Sequence, residues 1–317
     1  MNDKYILDEL ESKIIDTVSS YLDEKGLGEH KYSIVLSGGF DSGLLAAITK
    51  PYKAYRIKFP YGTKFDESRY AEAISRHLNL DVEEIIVTPE NFKEYFEEAV
   101  KIMGEPTPHF SLVPLYILFK TLSERGETDV LSGEGPDEYL GGYARQIIVD
   151  ELKKIYEIPE LRNYHSMIDK FLGMDLVTRY GEILGYPLEK VEKYAMSDYP
   201  LQGKIGKMDM ELGHIEKMEQ KFAKHFGISF HYPYIDSSFA EYCYRLPDDL
   251  KIRNGVTKWG FREIAMKYLP KIMKNRSKMG GPVAPVNRLM GWELPDFDKT
   301  EYLKAQEKIL HDSVQKN

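Results

Sequence analysis

The stretch Ser33–Ala47, SIVLSGGFDSGLLAA, decides how the rest of the chain is interpreted. A short, mostly apolar run comes first, a double glycine follows, and the remainder is rich in leucine and alanine. This order predicts a buried strand, a tight turn and the start of an apolar helix. Gly38 and Gly39 allow positive φ and leave no Cβ between the backbone and a ligand. Because the N–H groups at a helix N-terminus carry partial positive charge, the turn is a candidate site for phosphate or pyrophosphate.

Three polar side chains of the turn support this interpretation. Asp41 is a hard oxygen ligand that could reach Mg²⁺ on the same phosphates, and Ser37 and Ser42 add hydroxyl donors. Two better-known phosphate loops do not fit, because Leu44 follows Gly43 where the P-loop has lysine, and Gly-x-Gly-x-x-Gly is absent. An ordinary strand-to-helix turn is the alternative, but the whole sequence SGGFDS favours nucleotide binding. It resembles the pyrophosphate loop of the N-type ATP pyrophosphatases, which cleave ATP to AMP and pyrophosphate.

Composition narrows the class of protein. The 317 residues carry a formal net charge of −8, so a general nucleic-acid-binding surface is not expected. Cys243 is the only cysteine, which fits a reducing compartment, and its aromatic neighbours predict a buried structural thiol. Met1–Lys4 opens an acidic amphipathic segment and not a signal peptide, and no apolar run approaches the roughly 20 residues of a membrane helix. We therefore expect a cytoplasmic protein with no membrane or nucleic-acid partner.

Strand and helix patterns alternate along residues 1–146. Besides the strand in the central stretch, strands are predicted at Ala54–Phe59, Val82–Val87 and Asp129–Ser132. Helices are predicted at Lys4–Glu24, Asp66–Leu78, Asn91–Met103 and Ser111–Ser123. This alternation predicts an α/β fold with a doubly wound parallel sheet. After residue 146 the periodicity becomes helical and no convincing strand follows, so we predict a sheet domain with an N-terminal helix in residues 1–146 and a helical part in residues 147–317.

A second motif, Ser132–Tyr143 (SGEGPDEYLGGY, the acidic motif below), follows the predicted fourth strand directly. Ligands of such sheets bind at the carboxyl ends of the strands, so this loop is expected to face the same crevice as the first motif. Glu134, Asp137 and Glu138 place three carboxylates within five residues, where they repel one another unless a cation such as Mg²⁺ on ATP neutralises them. An acidic solvated loop is the alternative, but four glycines favour close approach of the backbone to a ligand.

Together the two motifs resemble the synthetase domain of the asparagine synthetase family. Further stretches match the family in order along the chain: Phe65–Ala71, Tyr232–Asp236, Lys258–Arg262, Leu269–Pro270 and Arg276–Lys278. The resemblance covers about residues 5–285. It implies a sheet of the adenine-nucleotide alpha-hydrolase type, with ATP and Mg²⁺ as cofactors.

The resemblance also implies roles for individual residues. The pyrophosphate portion of ATP would be held by residues of the first motif: Ser37, Gly38, Gly39, Asp41 and Ser42. The adenosine would be bordered by Leu36, the backbone around Lys58, and Gly133. Asp41 and Asp137 would ligate Mg²⁺, and Lys258 would contact the phosphates. Glu134 would handle the proton of the attacking amine, and Lys278 would stabilise charge at the adenylate.

Two departures from the family pattern bear on the substrates. Ser229–His231 stands where the family usually has Glu-x-Arg, which puts the amino-acid substrate in question. The family's N-terminal glutaminase domain, with its terminal cysteine nucleophile, is not matched here, since the first helix begins within a few residues of Met1 and Asn2 follows Met1. We therefore expect the chain to use ammonia or another small amine, and a separate glutaminase subunit remains open as a partner.

These observations predict an ATP-dependent, AMP-forming amide ligase acting on a small-molecule carboxylate. Ammonia-dependent synthesis of asparagine from aspartate is the leading case, and amide formation on a different carboxylate, in natural-product or cell-envelope chemistry, is the alternative. A tRNA sulfur transferase also uses a pyrophosphate loop, but a single cysteine and the net charge of −8 argue against it. Glu134, Asp137, Lys258 and Lys278 argue against a nucleotide-binding module without catalysis.

Overall fold

The computed structural model describes residues 3–28, 31–59, 68–158, 176–212, 215–276, 284–295 and 298–314. In the first part of the chain, helices and strands alternate: α1 (Asp3–Glu24), β1 (Ser33–Val35), α2 (Phe40–Thr49), β2 (Lys53–Lys58), α3 (Ser68–Leu78), β3 (Val82–Ile86), α4 (Pro89–Met103), α5 (Leu112–Glu124) and β4 (Asp129–Leu131). The α/β fold and the four predicted strands are confirmed. The predicted N-cap Asp66 lies outside the described residues.

The second part of the chain is mainly helical, as predicted. Its elements are α6 (Pro136–Tyr139), α7 (Ala144–Glu157), α8 (Leu176–Ile183), α9 (Leu188–Ala195), α10 (Leu201–Leu212), α11 (Ile215–Phe226), β5 (Ser229–His231), α12 (Ser237–Arg245), α13 (Asp248–Lys251), β6 (Ile252–Arg253), β7 (Val256–Thr257), α14 (Trp259–Ala265), a 3₁₀ helix (Lys271–Asn275), α15 (Val286–Met290) and α16 (Thr300–Val314). Among the helices described, none has both the length and the apolar character needed to cross a membrane.

Five parallel strands form one sheet in the order β3–β2–β1–β4–β5, with β1 in the middle. Ile34 of β1 lies opposite Ala54 of β2 on one side and Leu131 of β4 on the other. Parallel neighbours cannot be joined by a hairpin, so the helices between them serve as crossovers. Because β1 and β4 are parallel neighbours, both end at the same edge of the sheet. That edge is where the glycine turn and the acidic motif begin.

The strand β5 corrects the prediction that no strand follows residue 146. It extends the sheet beside β4, with Phe230 opposite Val130. The strand has three residues with one apolar side chain, and it lies at the edge of the sheet. Its sequence therefore carries neither the alternation nor the apolar run that predicts a strand. The short antiparallel ribbon of β6 and β7 was missed for the same reason.

The chain divides into two compact units, each discontinuous in sequence. We call Met1–Leu22, Gly133–Gly213 and Tyr232–Tyr268 the helical unit, and Asp23–Ser132, His214–His231 and Leu269–Asn317 the sheet unit. These units do not follow the predicted division at residue 146, since α1 groups with the helical unit and β5 with the sheet unit. Whether residues 1–146 and 147–317 act as separate domains stays a prediction.

Each unit has its own apolar core. In the sheet unit, aromatic side chains from strands and helices are buried together: Tyr55, Phe92, Phe119, Phe222 and Tyr302. In the helical unit, a smaller cluster joins α7, α8, α9 and α10 through aliphatic and tyrosine side chains such as Val149, Tyr180, Val191 and Met208. Cys243, also in the helical unit, is fully buried as predicted, and its burial raises the pKa of the thiol.

Lys251 is a fully buried lysine in the helical unit. Its Nζ donates to the carbonyl oxygens of Tyr244 and Leu246, at 2.9 and 2.8 Å, and so satisfies backbone groups at the end of α12. Burial lowers the pKa of this ammonium group from 10.5 to about 8. The charged form is thus less favourable in the folded chain than in the unfolded chain.

Lys251 should make stability rise with pH. Between pH 8 and 10.5 the unfolded chain binds more protons at this group than the folded chain, so the free energy of unfolding increases with pH. Relative to Lys251→Met, we expect wild type to gain about 1 kcal/mol from pH 8 to pH 9 in urea titrations. Lys190→Met removes an exposed lysine and should follow wild type. Parallel pH profiles for wild type and Lys251→Met would contradict this expectation.

Candidate functional site

The turn after β1 is closed by its own hydroxyl groups. Gly38 has a φ of +82°, in the left-handed region that favours glycine, and Gly39 is the N-cap of α2. The N–H of Gly39 donates to Ser37 Oγ and the N–H of Ser37 donates to Ser42 Oγ, each at 3.2 Å. The two serine oxygens lie 3.1 Å apart. The predicted order of strand, turn and helix is confirmed, and these hydrogen bonds fix the shape of the turn.

This turn has the features of a phosphate cradle. Within the described part of the chain, no side chain caps α2 at Gly39, so the partial positive charge of the helix N-terminus faces the turn. A Cβ on Gly39 would lie 3.1 Å from Ser37 Oγ and 3.7 Å from Arg276 Nη2, so a side chain would fill part of the cradle. Asp41 is half-buried in the first turn of α2, where it can supply a carboxylate oxygen.

Arg276 is a residue of this site for which the sequence predicted no role. It follows the 3₁₀ helix, is only 7% exposed, and its guanidinium carbon lies 5.6 Å from the ring centre of Tyr70. Together with its approach to Gly39, this places a permanent positive charge beside the glycine turn. The available signal was the Arg-x-Lys stretch, in which only Lys278 received a role. Lys278 itself lies outside the described residues.

The residues predicted to border adenosine have well-defined backbones. Leu36 is fully buried, and its N–H donates to Tyr55 O at 2.8 Å. The carbonyl of Lys58 accepts a backbone hydrogen bond of 2.9 Å from the segment after β3, and its Nζ donates to Glu84 at 2.7 Å. Gly133 is half-buried in the helical unit. The contacts of these residues with adenosine stay predictions.

In the helical unit, the acidic motif is folded around Asp137. Gly135 adopts a φ of +117° at the start of α6, a conformation that favours glycine. The N–H of Gly142 donates to Asp137 O at 2.8 Å. A Cβ on Gly142 would lie 2.0 Å from Asp137 Oδ1, so any side chain at position 142 would displace the carboxylate. Gly142 therefore serves the placement of Asp137, and Gly135 provides the backbone conformation at the start of α6.

Lys258 forms an ion pair with Asp137, with 2.6 Å between Nζ and Oδ1. The lysine is 3% exposed and has a φ of +51°, which is uncommon for a residue other than glycine. Its Nζ also lies 5.6 Å from the ring centre of Phe261. The Lys258 side chain is 4% exposed and the Asp137 side chain 22%, so loss of Asp137 would leave a buried charge at Lys258 uncompensated. The predicted phosphate contact and a predicted Mg²⁺ ligand thus neutralise each other in this structure.

The carboxylates of the acidic motif influence the pKa of Tyr143. Burial raises the pKa of its phenol, and the nearby charges of Glu138, Asp137 and Glu134 raise it further. The phenol stays protonated and donates a hydrogen bond to the buried Glu138. Glu134 is half-buried. All three carboxylates therefore act on the same phenol, and one of them, Glu138, accepts its hydrogen bond.

The carboxylates also allow a test of the predicted Mg²⁺ site. In the described ranges, no three His, Cys, Asp or Glu side chains gather closely enough to hold a metal ion. Mg²⁺ commonly takes one or two protein carboxylates and completes its shell with phosphate oxygens and water. Asp41 and Asp137 have the right ligand chemistry for a metal that arrives with a nucleotide.

Replacing Arg276 by methionine should weaken the binding of ATP and of pyrophosphate. A hydrogen bond to a charged group contributes roughly 1.5–3 kcal/mol, so we expect the dissociation constant to rise about tenfold to a hundredfold. Isothermal titration calorimetry measures the change. Lys274→Met removes the same charge from an exposed position two residues earlier and should alter the affinity less than twofold. Unchanged affinity in Arg276→Met would exclude a phosphate contact.

A family model described as asparagine synthase matches residues 25–308. Asparagine synthetase [glutamine-hydrolyzing] 1 of Bacillus subtilis (strain 168) is 24% identical over 311 residues, which cover 86% of this chain and 49% of that protein. Asparagine synthetase B [glutamine-hydrolyzing] of Escherichia coli (strain K12) is 23% identical over 290 residues, which cover 85% and 43%.

Two further comparisons are more limited. Putative asparagine synthetase [glutamine-hydrolyzing] 1 of Methanocaldococcus jannaschii is 31% identical over 188 residues, covering 54% of this chain and 35% of that protein. The solved structure of NMN synthetase from Francisella tularensis aligns with 72% of this chain and 97% of its own at 14% identity, with a TM-score of 0.28, too low to relate the two folds.

The match extends over nearly all of the described elements. It includes the glycine turn after β1, the acidic motif, Lys258 and Arg276. The chain spans about half or less of the length of the curated relatives it matches. Because the family model covers most of its residues, this chain belongs to the asparagine synthase family.

Proposed function

We propose that this chain catalyses ATP-dependent, AMP-forming amide synthesis. The observation that carries the proposal is the turn Ser37–Ser42, whose glycines, hydroxyl groups and helix N-terminus suit a pyrophosphate group. Membership of the asparagine synthase family supports the same reaction class. In this reaction a carboxylate oxygen attacks the α-phosphorus of ATP and pyrophosphate leaves. An amine then attacks the carbonyl carbon of the acyl-adenylate, and AMP leaves.

On the nucleotide side, the main demand is to neutralise charge that develops on the leaving pyrophosphate. The residues proposed to hold the pyrophosphate are Ser37, Gly38, Gly39, Ser42 and the adjacent Arg276. Those proposed to border the adenosine are Leu36, the backbone of Lys58, and Gly133. Lys278 is proposed to stabilise charge as the adenylate forms. The residue matches within the family support these assignments, and the approach of Arg276 to Gly39 adds a cation to them.

The remaining groups come from the acidic motif, from Asp41 of the glycine turn and from Lys258. Asp41 and Asp137 are proposed to hold Mg²⁺, which when bound supplies neutralising charge to the phosphates. Lys258 is proposed to contact the phosphates, and its ion pair with Asp137 supports a position close to the metal ligand. Glu134, which is half-buried, would accept the proton that the attacking amine loses.

We propose ammonia as the amine and aspartate as the first carboxylate to test. Hydrolysis of glutamine needs an activated nucleophile, usually a cysteine thiolate. The one cysteine of this chain, Cys243, is fully buried and its thiol has a raised pKa, so it is unsuited to that role. Free ammonia, which needs no such nucleophile, is therefore the amine that we propose.

A different carboxylate is the second candidate, and residues 229–231 favour it. Where the family usually has Glu-x-Arg, this chain has Ser229–His231. In the structure, His231 Nε2 lies 2.9 Å from Asp129 Oδ1, and Phe230 packs edge-on against Phe119 with 4.8 Å between ring centres. His231 and Phe230 thus make contacts within the sheet and its core. This supports the proposal that the substrate carboxylate is bound by residues other than those of the family pattern.

The products should be AMP and pyrophosphate. We expect ATP–pyrophosphate exchange that depends on one carboxylate in a panel containing aspartate and other amino and organic acids. Chromatography should then show AMP as the nucleotide product when ammonium is added. Asp41→Asn is the matched control, since it keeps the size of the side chain and removes its charge, and it should lower the exchange rate at least a hundredfold. ADP as the coupled product would contradict the proposal.

Ammonium should support amide synthesis and glutamine should not. Purified chain is assayed with ammonium chloride or glutamine at matched concentrations, with amide formation followed by mass spectrometry. Cys243→Ala should leave the ammonium-dependent rate within about threefold, because the thiol takes no part in the chemistry. Efficient glutamine-dependent synthesis by wild type that is lost in Cys243→Ala would refute both the amine and the assignment of the cysteine.

A further inference from the structure

The helix α10 rests directly against the acidic motif by its backbone. A Cβ on Gly206 would lie 2.3 Å from Glu138 O, so the helix and the motif meet where no side chain fits. One turn earlier, a Cβ on Gly203 would lie 2.1 Å from Tyr244 O of α12. Residues three apart share one face of a helix, so the next position on this face is 209.

That position holds Asp209, a carboxylate that is 4% exposed. Its Oδ2 accepts a hydrogen bond of 2.7 Å from the hydroxyl of Tyr180 and lies 3.2 Å from Arg145 Nη2. Its Oδ1 accepts a hydrogen bond of 3.2 Å from the hydroxyl of Tyr186. Burial raises the pKa of this carboxyl group, and the charge of Arg145 opposes that effect. None of these residues has a role in the reaction proposed above.

Arg145 connects this carboxylate to the acidic motif. Its Nε donates to Tyr180 at 2.5 Å, and its guanidinium carbon lies 3.8 Å from the ring centre of Tyr143. Tyr143 is the last residue of the acidic motif, and its hydroxyl donates to Glu138. A continuous chain of contacts therefore runs from Asp209 to Glu138, the residue after Asp137: an ion pair to Arg145, a cation–π contact to Tyr143 and a hydrogen bond to Glu138.

We propose that Asp209 is a positioning residue that fixes the acidic motif through Arg145 and Tyr143. The buried carboxylate holds the guanidinium group in place, because separating the two would leave a buried charge uncompensated. The fixed guanidinium group holds the ring of Tyr143, and the hydroxyl of Tyr143 holds Glu138. The motif is thereby kept in the fold in which Asp137 lies against Gly142. The activity part of the test rests on the proposed function, whereas the structural part does not.

A second acid on the same helix provides a matched control. Glu211 also accepts a hydrogen bond from a tyrosine, Tyr194, at 2.7 Å and from Lys193 at 2.8 Å. It is exposed and bonded to α9 instead of the acidic motif. Glu211→Gln and Asp209→Asn therefore make the same chemical change, from carboxylate to amide, on one helix. Only Asp209 is connected to the acidic motif through Arg145, whereas Glu211 is bonded to α9.

The first measurement is amide hydrogen exchange of the purified full chain without nucleotide. In Asp209→Asn we expect the N–H groups of Tyr139, Leu140 and Gly142, which close the fold of the motif, to exchange at least tenfold faster than in wild type. Amides of α12 should stay within twofold, and Glu211→Gln should match wild type throughout. Unchanged exchange in the motif, or an equal increase in α12, would overturn the proposal.

The route through Tyr143 is tested separately. Tyr143→Phe removes the hydrogen bond to Glu138 without removing a charge, and it should raise the same exchange rates about tenfold. Adding Asp209→Asn to Tyr143→Phe should then change these rates by less than twofold, because both substitutions interrupt one path. A further tenfold increase in the double variant would overturn that route.

The activity readout separates positioning from general loss of structure. In pyrophosphate exchange, Asp209→Asn should raise the Mg²⁺ concentration for half-maximal rate at least fivefold, with the KM for ATP unchanged within twofold. Glu211→Gln should leave both constants unchanged, and equal constants in Asp209→Asn and wild type would overturn the proposal. If wild type shows no exchange at all, the proposed function fails, and the hydrogen-exchange comparison still decides the role of Asp209.

Discussion

Parallel pairing on both sides of β1 is the constraint on which the sheet unit depends. A three-residue strand has few hydrogen bonds of its own, and β1 is held because β2 and β4 both pair with it. Parallel pairing requires a crossover after each strand, so the chain returns through helices to the same starting edge. All such strands then end at the opposite edge, where loops are free to carry ligand-binding groups. The glycine turn occupies that edge for a topological reason, before any chemistry is considered.

The helical unit follows a different constraint, which is the compensation of buried charge. Beside its buried apolar residues, the acidic motif brings the carboxylate of Glu138 into its interior, and α10 contributes the buried Asp209. Lys258 compensates Asp137, and Arg145 compensates Asp209. One partner of each pair is buried, and removal of the other would leave that charge uncompensated. Geometry around the motif is thus specified by partners of opposite charge and by glycines that admit close backbone contact.

The features that could be predicted from the sequence are those encoded by neighbouring residues in the chain. The strand and turn at Ser33–Gly39 follow from an apolar run and two glycines, and the motif around Asp137 from its density of glycine and acid. β5 could not be predicted, because its three residues have no pattern and its pairing with β4 is between segments about a hundred residues apart. Asp209 was missed because its contacts arise only between neighbours in space, whereas Arg276 lies in the Arg-x-Lys stretch but its approach to Gly39 is visible only in the fold. Burial of a charged side chain is a property of the fold, and a single sequence does not display it.

The ion pair between Lys258 and Asp137 has a consequence for selectivity. On the proposed roles, free Mg²⁺ would have to compete with the ammonium group for Asp137, and metal-free nucleotide would have to compete with the carboxylate for Lys258. A complex that carries both charges offers each residue a new partner at the same moment, so neither is left unpaired in a buried place. Metal and nucleotide would then bind with positive thermodynamic coupling. The pair would therefore favour binding of the Mg²⁺–nucleotide complex over binding of free Mg²⁺ or of metal-free nucleotide.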